Sequence, residues 1–429
     1  MSFTHFKQAA GTLITGTSWM MVAEFLARIS RVVTLIAFAA FLSPTEYGIA
    51  MLALVSHELL RVLSRTGVGA KVIQCEEHEL SAYVSNAITL QWGVCILLMV
   101  IQVLSAQWIA AFYEQALLTD LLMLMALSHL LYPLVTVRVF LVQRQGNMKF
   151  YGIASGFSIA ADNLSTALLL ALDFGLMSVA YAKIIAAICW VVFFSAAKVE
   201  RYRAAFSTQY MPRLMKFSGM VLCSELLKCL RLQADVLLAG RFLSPELFGL
   251  YSFAKSSGVG LSQSISNGFI ASLYPYLSKA WRQATFSQAK LYSLLGGACL
   301  SSLFIVQAML APFYIELLFG GEWLVAIELV SLLCISAIGL LMLDVTNTLL
   351  RISQSLTLEI VLSLLSVVFL VAGLLFLQPE DALTMAQVVL TISLLWLPLC
   401  IAAMAYQSFS SHSLKRFCKP SSTSKELVS

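Results

Sequence analysis

Long runs of apolar residues dominate the chain, and they predict membrane-spanning helices. The run 356–377 is apolar on every helical face, whereas the strands of an outer-membrane barrel alternate apolar and polar residues, so a barrel is excluded. A spanning helix needs roughly 20 apolar residues, and short polar connections divide this chain into about twelve such runs. The predicted spans are 17–42, 47–66, 82–105, 117–142, 150–172, 175–197, 217–241, 248–272, 288–311, 323–349, 355–377 and 384–406.

A short motif occurs twice, each time at the end of a long apolar run. Residues 41–48 read FLSPTEYG and residues 242–249 read FLSPELFG, an offset of 242 − 41 = 201 positions. The same offset aligns Glu24 with Glu225 and Gly67 with Gly268. Internal repeats in membrane proteins are typical of transporters whose substrate path lies between two halves. The sequence therefore predicts two parallel six-helix lobes, 1–205 and 206–429.

The repeated turn is interpreted as structural. Proline cannot continue the helix before it, so each FLSP sequence is expected to end a span. Gly48 and Gly249 are predicted to let the chain turn sharply into the next span. With an even helix count in each half, both turns are expected on the outer face of the membrane.

The composition excludes a soluble globular domain. Hydrophobic residues make up 60% and charged residues 11% of the 429 positions, whereas about a quarter of the residues in a soluble domain are charged. The nine cysteines are scattered through apolar runs, without a CxxC pair or a His and Cys cluster at metal-ligand spacing. They are interpreted as small core residues, and no cofactor or metal is expected.

Lysine and arginine in the connections predict the orientation, because they favour the cytoplasmic side. With the N-terminus in the cytoplasm, the basic connection 198–216, Arg351 and the tail after Gln407 share that side, and the opposite connections carry mainly acids. We expect a multi-pass protein of the bacterial inner membrane with both termini cytoplasmic. The Ser- and Lys-rich tail is expected to be disordered.

Many charged residues fall deep inside the predicted spans. Each costs at least about 2.5 to 3.5 kcal/mol at the bilayer centre, so they predict a water-filled cavity or mutual pairing. Cations outnumber acids, which predicts a cavity for an anion such as phosphate or pyrophosphate. The candidate substrate-binding cations are Arg28, Arg31, Arg61, Lys183, Lys228, Arg231 and Lys255, and the candidate ion-coupling acids are Glu24, Glu58, Asp162, Glu225 and Asp235.

The roles of these acids stay open at this stage. Glu24 with Arg28, and Glu225 with Lys228, have the i,i+4 and i,i+3 spacing of structural ion pairs. The acids are equally suited to carrying a coupling proton, and transport driven by consumption of the product needs no such proton. His57 and His129 stand alone in apolar spans and are interpreted as satisfied core residues.

The first turn and the stretch after it resemble a known family. LSPTEYG at 42–48 and GVGAKVIQ at 67–74 are similar to bacterial polysaccharide transporters, the Wzx-like oligosaccharide flippases of the MOP superfamily. The resemblance implies an all-α fold of two six-helix lobes in a V, and a cationic cavity built from the seven cations named above. It also implies movement of undecaprenyl-pyrophosphate-linked oligosaccharide from the cytoplasmic to the periplasmic leaflet, for lipopolysaccharide, capsule or exopolysaccharide synthesis. The implied partners are that lipid, membrane lipids, a polymerase and a chain-length regulator, with no nucleic acid.

Three other functions fit the residues less well. A MATE-type multidrug or cation antiporter favours an acidic, aromatic cavity without so many deep cations. A flippase for lipid-linked peptidoglycan precursors usually carries additional helices. An enzyme is not expected, because the sequence has no P-loop, no HExxH and no plausible nucleophile triad, and no long outer loop.

Overall fold

The computed structural model describes residues 25–64, 68–282, 286–353 and 355–414, which are almost entirely helical and contain no strand. The first half contains α1 (25–41), α2 (Pro44–Ser64), α3 (Val68–Gln74), α4 (Glu77–Phe112), α5 (Leu117–Ala126), α6 (Ser128–Leu131), a 3-10 helix (Tyr132–Leu134), α7 (Thr136–Arg144), α8 (Met148–Ala171) and α9 (Met177–Ser195). The second half contains α10 (Tyr210–Phe242), α11 (Pro245–Ser257), α12 (Val259–Arg282), α13 (Phe286–Phe319), a 3-10 helix (Gly321–Ala326), α14 (Ile327–Ile352), α15 (Leu356–Leu377) and α16 (Ala382–Leu414).

Nine stretches of the described residues are long and apolar enough to cross a membrane. The other three predicted spans, 17–42, 217–241 and 248–272, fall on α1, α10 and the pair α11 and α12, which are helical but carry charged side chains. Every predicted span therefore has a helix in the structure. The first 24 residues, which include the start of the first span and Glu24, lie outside the described residues, as do Gly67 and 415–429.

Three predicted spans are divided between helices, and one of them, 323–349, begins in the 3-10 helix Gly321–Ala326 before α14. The span 117–142 is divided among α5, α6, a 3-10 helix with Pro133 in its first turn, and α7. The span 248–272 is divided at Gly258, between α11 and α12, and α12 continues to Arg282. The expected tail also begins later than predicted, because α16 runs through Gln407 to Leu414.

The first repeated turn forms a capping box that fixes the start of α2. The backbone N–H and the hydroxyl of Ser43 both donate to Oε2 of Glu46 at 2.9 Å, and the Glu46 N–H donates back to the Ser43 hydroxyl at 3.4 Å. In the second copy the Ser244 hydroxyl accepts from Leu247 N–H at 3.4 Å. Proline at the first helical position of each copy needs no N–H partner there.

The two turns pack against each other and close one end of the molecule. A Cβ built on Gly249 would lie 1.7 Å from the Pro44 carbonyl oxygen, and one on Gly48 would lie 2.9 Å from Cδ1 of Phe248. Neither glycine has a positive φ, so the predicted role in turning the chain is wrong. Both glycines instead allow the two halves to approach closely.

An aromatic cluster continues this contact into the core. Tyr47 of α2 packs edge-on against Phe253 of α11 at 6.0 Å and against Trp323 at 5.6 Å between ring centroids. The Trp323 indole N–H donates to the Ala39 carbonyl at 3.0 Å, which ties the second half to α1. We call this region, formed by Pro44, Tyr47, Gly48, Gly249, Phe253 and Trp323, the sealed end.

Candidate functional site

The deep charged side chains of the described residues lie in three separate cavities and one buried network. The sequence predicts one cationic cavity built from seven deep cations. Instead, α8 and α9 complete a cavity in the first half, α14 and α15 complete a pocket in the second half, and a groove runs between the halves. Each has its own balance of charge.

The cavity in the first half has a volume of about 520 Å³ and holds two of the predicted cations. Arg61 at the end of α2 donates from Nε to Glu58 at 2.6 Å. Lys183 of α9 lies 2.5 Å from Oδ2 of Asp162 on α8. We call it the N-terminal cavity; its lining is Arg61, Ser64, Gln91, Tyr132, Thr136, Val139, Phe140, Gln143, Tyr151, Ser155, Ser158, Ile159, Asp162, Lys183, Ala186 and Trp190.

A smaller pocket of about 120 Å³ in the second half contains further charges, and we call it the C-terminal pocket. Arg231 of α10 donates from Nη2 to Asp344 of α14, and both side chains are largely buried. Arg351 pairs with Glu359 at the start of α15. Its lining is Glu225, Leu227, Lys228, Arg231, Asn267, Ile270, Asp344, Asn347, Thr348, Arg351, Glu359, Ile360 and Ser363.

Two charged residues of this pocket, Asp344 and Arg351, differ from what the sequence predicts. Asp344 was not counted among the deep acids, and Arg351 was assigned to the cytoplasmic connections. Asp344 and Arg231 are 113 positions apart, so no helical spacing linked them. A single Asp in the apolar run 323–349 was the available signal, because an unpaired carboxylate is costly there.

A groove of about 450 Å³ lies between the two halves, and we call it the interface groove. Its walls are mainly apolar side chains of α1, α12 and α13, and the two charged residues in its described lining are Arg28 and Arg31. A Cβ built on Gly268 of α12 would lie 3.1 Å from Nη2 of Arg28, so the guanidinium reaches across to the second half. The lining is Arg28, Ile29, Arg31, Val32, Leu261, Ile265, Leu303, Val306, Gln307, Leu310 and Tyr314.

Lys255 and Asp235 lie in a buried network rather than in any of these three cavities. Lys255 of α11 pairs with Oδ1 of Asp235 on α10 and donates to the Leu232 carbonyl at 2.6 Å. The Tyr251 hydroxyl donates to Oδ2 of the same carboxylate at 2.6 Å. The Lys255 charge is matched by Asp235, and both carboxylate oxygens have a partner, so this network joins α10 to α11.

His57 and His129, predicted to be isolated, form a buried pair. Their rings are 5.1 Å apart, and His57 Nδ1 and His129 Nε2 lie 3.1 and 3.0 Å from Oε1 of Gln102. A carbonyl oxygen only accepts, so both rings donate to it. The Gln102 amide in turn donates to the Leu122 carbonyl at 2.8 Å. The pair is thus held by one amide on α4.

Among the described residues, no three His, Cys, Asp or Glu side chains are grouped so that they could hold a metal ion. The predicted pairing of Glu24 with Arg28 lies outside the described residues. Glu225 and Lys228 both line the C-terminal pocket. The binding and coupling roles assigned to these side chains from the sequence stay predictions.

Comparison with solved structures shows that the chain shares its fold with two known membrane proteins. The chain superposes on the lipid II flippase MurJ in an inward closed conformation with a TM-score of 0.72. The two sequences are 12% identical, and the superposition covers 92% of this chain and 87% of the MurJ chain. An inward-facing multidrug resistance MATE family transporter of the MOP superfamily gives a TM-score of 0.73, with 12% identity over 95% and 99% of the two chains. The predicted fold class, an all-α membrane protein of two six-helix lobes, is confirmed.

A family model described as polysaccharide biosynthesis protein matches residues 37–328. The chain belongs to this family. It is 24% identical to the teichuronic acid biosynthesis protein TuaB of Bacillus subtilis (strain 168), over 76% of this chain and 68% of TuaB. It is 23% identical to the succinoglycan biosynthesis transport protein ExoT of Rhizobium meliloti (strain 1021), over 76% of this chain and 66% of ExoT. The family resemblance recognised in the sequence is confirmed.

Proposed function

We propose that the protein is a flippase that moves undecaprenyl-pyrophosphate-linked oligosaccharide from the cytoplasmic to the periplasmic leaflet of the inner membrane. Membership of the polysaccharide biosynthesis family supports the pathway, and the names of its relatives include a succinoglycan transport protein. The observation that carries the proposal is the interface groove, whose apolar walls carry Arg28 and Arg31.

The groove suits an amphiphile with an anionic head. Leu261, Leu303 and Leu310 offer an apolar surface to a prenyl chain, and burial of apolar surface favours that contact. Guanidinium groups bind phosphate oxygens through two parallel hydrogen bonds, so Arg28 and Arg31 suit the pyrophosphate. The glycan then extends toward the polar cavities, away from the hydrocarbon.

The sealed end supports a transport cycle with alternating access. In this conformation the FLSP turns close one side, and we assign that side to the periplasm because the connections there carry acids rather than cations. Both termini and the connection between α9 and α10 are then cytoplasmic. The lobes 1–205 and 206–429 rock about their contact to expose the head group to each side in turn. A polymerase and a chain-length regulator are the partners that this pathway calls for.

Reconstitution tests the flippase directly. The substrate is the lipid-linked oligosaccharide that accumulates in cells lacking this gene, placed in one leaflet of proteoliposomes and followed by its accessibility to an impermeant periodate reagent. Wild-type protein is expected to speed its transfer over protein-free liposomes. Arg28→Gln with Arg31→Gln is expected to slow transfer roughly tenfold or more, the loss of about one charged hydrogen bond.

Arg241→Gln is the matched control, because this guanidinium is half exposed near the sealed end and 3.8 Å from the exposed Glu114. It is expected to transfer the lipid at the wild-type rate. Transfer no faster than in protein-free liposomes contradicts the flippase. If the wild-type protein exports rhodamine 6G and does not transfer the lipid, it is a MATE-type exporter, which is the weaker alternative.

A further inference from the structure

The N-terminal cavity is poorly suited to an anion, because its cations are already neutralised. Arg61 is matched by Glu58 at 2.6 Å and Lys183 by Asp162 at 2.5 Å. A pyrophosphate placed here competes with both carboxylates and lies beside the Asp162 charge. The cavity therefore selects a polar but largely uncharged ligand.

One acceptor in this cavity is left without a partner. Oδ1 of Asp162 is buried and makes no hydrogen bond, whereas Oδ2 accepts from Lys183. A buried acceptor without a partner costs about 1 to 3 kcal/mol, so a turn of the Asp162 carboxylate that brings Oδ1 to a ligand hydroxyl is favoured. Gln143 and Ser155 add further polar groups to the same lining.

Aromatic rings form another part of the lining, and two of them rest on a buried ring behind them. Trp190 of α9 packs against Phe194 in a tilted arrangement, at 4.6 Å between ring centroids, and Tyr151 of α8 lies 6.3 Å from the same ring. Phe194 is fully buried, so both rings rest on a fixed support. Tyr132 from the 3-10 helix lines the cavity as well. We call Tyr132, Tyr151 and Trp190 the aromatic platform.

We propose that the N-terminal cavity binds sugar residues of the transported glycan, and this inference rests on the proposed flippase function. A pyranose ring presents C–H groups on its face and hydroxyls around its edge. The aromatic platform packs against the face, as aromatic side chains do with flat apolar surfaces. The Asp162 carboxylate accepts from the edge hydroxyls, and a volume of about 520 Å³ is within the range of ligand pockets.

The C-terminal pocket does not share this chemistry. Its described lining contains no aromatic side chain, and its volume is about 120 Å³. The two halves therefore differ in the ligand they suit, although both carry the repeated FLSP motif. Selection among glycans is assigned to the first half.

The test compares two lipids bound to the purified full-length protein by native mass spectrometry. One is undecaprenyl pyrophosphate without sugar, and the other is the lipid-linked oligosaccharide that accumulates in cells lacking this gene. Wild-type protein is expected to prefer the glycan-bearing lipid by roughly tenfold, the scale of one aromatic contact. Trp190→Ala is expected to remove this preference and to bind undecaprenyl pyrophosphate as before.

Two further variants keep the test decisive. Trp190→Phe keeps a ring against Phe194 and is expected to retain most of the preference for the glycan-bearing lipid. Tyr132→Leu removes a second ring from the cavity and leaves the contact between Trp190 and Phe194 in place. Trp108→Ala is the matched control, because Trp108 is 80% exposed on α4 and lines none of the three cavities. It is expected to behave as the wild type.

The outcomes separate the sugar site from the flippase. Equal binding of the two lipids by wild-type protein, or a preference unchanged in Trp190→Ala and Tyr132→Leu, overturns the sugar site and leaves the flippase intact. Binding of neither lipid overturns both. If the protein binds neither lipid but binds rhodamine 6G through Trp190, the cavity binds organic cations, and both the sugar site and the flippase function are wrong.

Discussion

Gly249 of α11 lies directly against the carbonyl oxygen of Pro44, the first residue of α2, so that an added Cβ would be 1.7 Å from that oxygen. The two residues belong to the two copies of the FLSP motif. Their contact places the repeated turns on the same side of the molecule. A backbone carbonyl cannot move aside as a side chain does, so this position accepts only glycine.

Gly249→Ala is therefore expected to prevent the sealed end from closing. We expect glycan export to fall roughly tenfold or more, corresponding to at least about 1.4 kcal/mol lost from the closed state. Gly93→Ala is the control, because nothing lies within 4 Å of a Cβ at Gly93 in the middle of α4. Surface glycan and membrane protein level are measured together. Equal export by the two variants would show that closure at this end does not limit transport.

Removing the charge of Arg231 is expected to leave the Asp344 carboxylate buried without its ion-pair partner. Only 5% of the Arg231 side chain and 12% of the Asp344 side chain are exposed, and an unpaired buried partner costs about 3 to 5 kcal/mol. Arg231→Gln should lower the amount of protein in the membrane, and Arg231→Gln with Asp344→Asn should restore it. If Arg231 also binds substrate, the double variant stays inactive despite normal protein level.

Glu77→Gln is the control for Arg231→Gln, because it breaks an exposed ion pair instead of a buried one. Glu77 lies 2.6 Å from Arg144, but 83% of its side chain is exposed, and exposed pairs contribute little. Its protein level is expected to match the wild type. Normal protein level in Arg231→Gln alone would contradict the structural pairing.

Gln102→Leu is expected to destabilise the first half, because both imidazoles lose the acceptor they share. Each buried group left without its hydrogen bond costs about 1 to 3 kcal/mol. Thermal unfolding of the purified protein should shift to lower temperature. Gln145→Leu, at an exposed turn after α7, is expected to leave it unchanged. An unchanged transition in Gln102→Leu would show that the histidines rearrange to other partners.

Thiol labelling tests the orientation. In a protein without native cysteines, Glu114→Cys lies in the turn after α4, and Arg203→Cys lies in the connection before α10. An impermeant maleimide is expected to label position 114 in cells with a permeable outer membrane. It should label position 203 only after the inner membrane is opened. The reverse pattern would overturn the positive-inside assignment.

The sequence was sufficient for the helices, because a membrane requires long apolar runs whose limits are marked by charge and proline. It was not sufficient for the grouping of charged residues. Helical spacing is sufficient for neighbours on one helix, such as Glu58 and Arg61, which are three positions apart and pair. It could not identify Asp162 with Lys183 or Asp344 with Arg231, because those pairs form between helices. The same limit made His57 and His129 look isolated, since Gln102 lies on a third helix.

Helix α10 is held near its C-terminal end, so a tilt of the helix displaces its N-terminal end most. Near its C-terminal end, Asp235 is bound to α11, and the Leu237 carbonyl accepts from the hydroxyl of Tyr113, the residue after α4, at 3.1 Å. From Leu237 back to Tyr210 the helix extends about 40 Å, so a tilt of about 10° about this fulcrum moves the far end by about 7 Å. Arg231 lies close to the fulcrum and moves little. A small tilt at the sealed end would thus be largest at Tyr210, whose ring packs against Tyr83 of α4 at 5.1 Å, and Arg231 would stay close to Asp344.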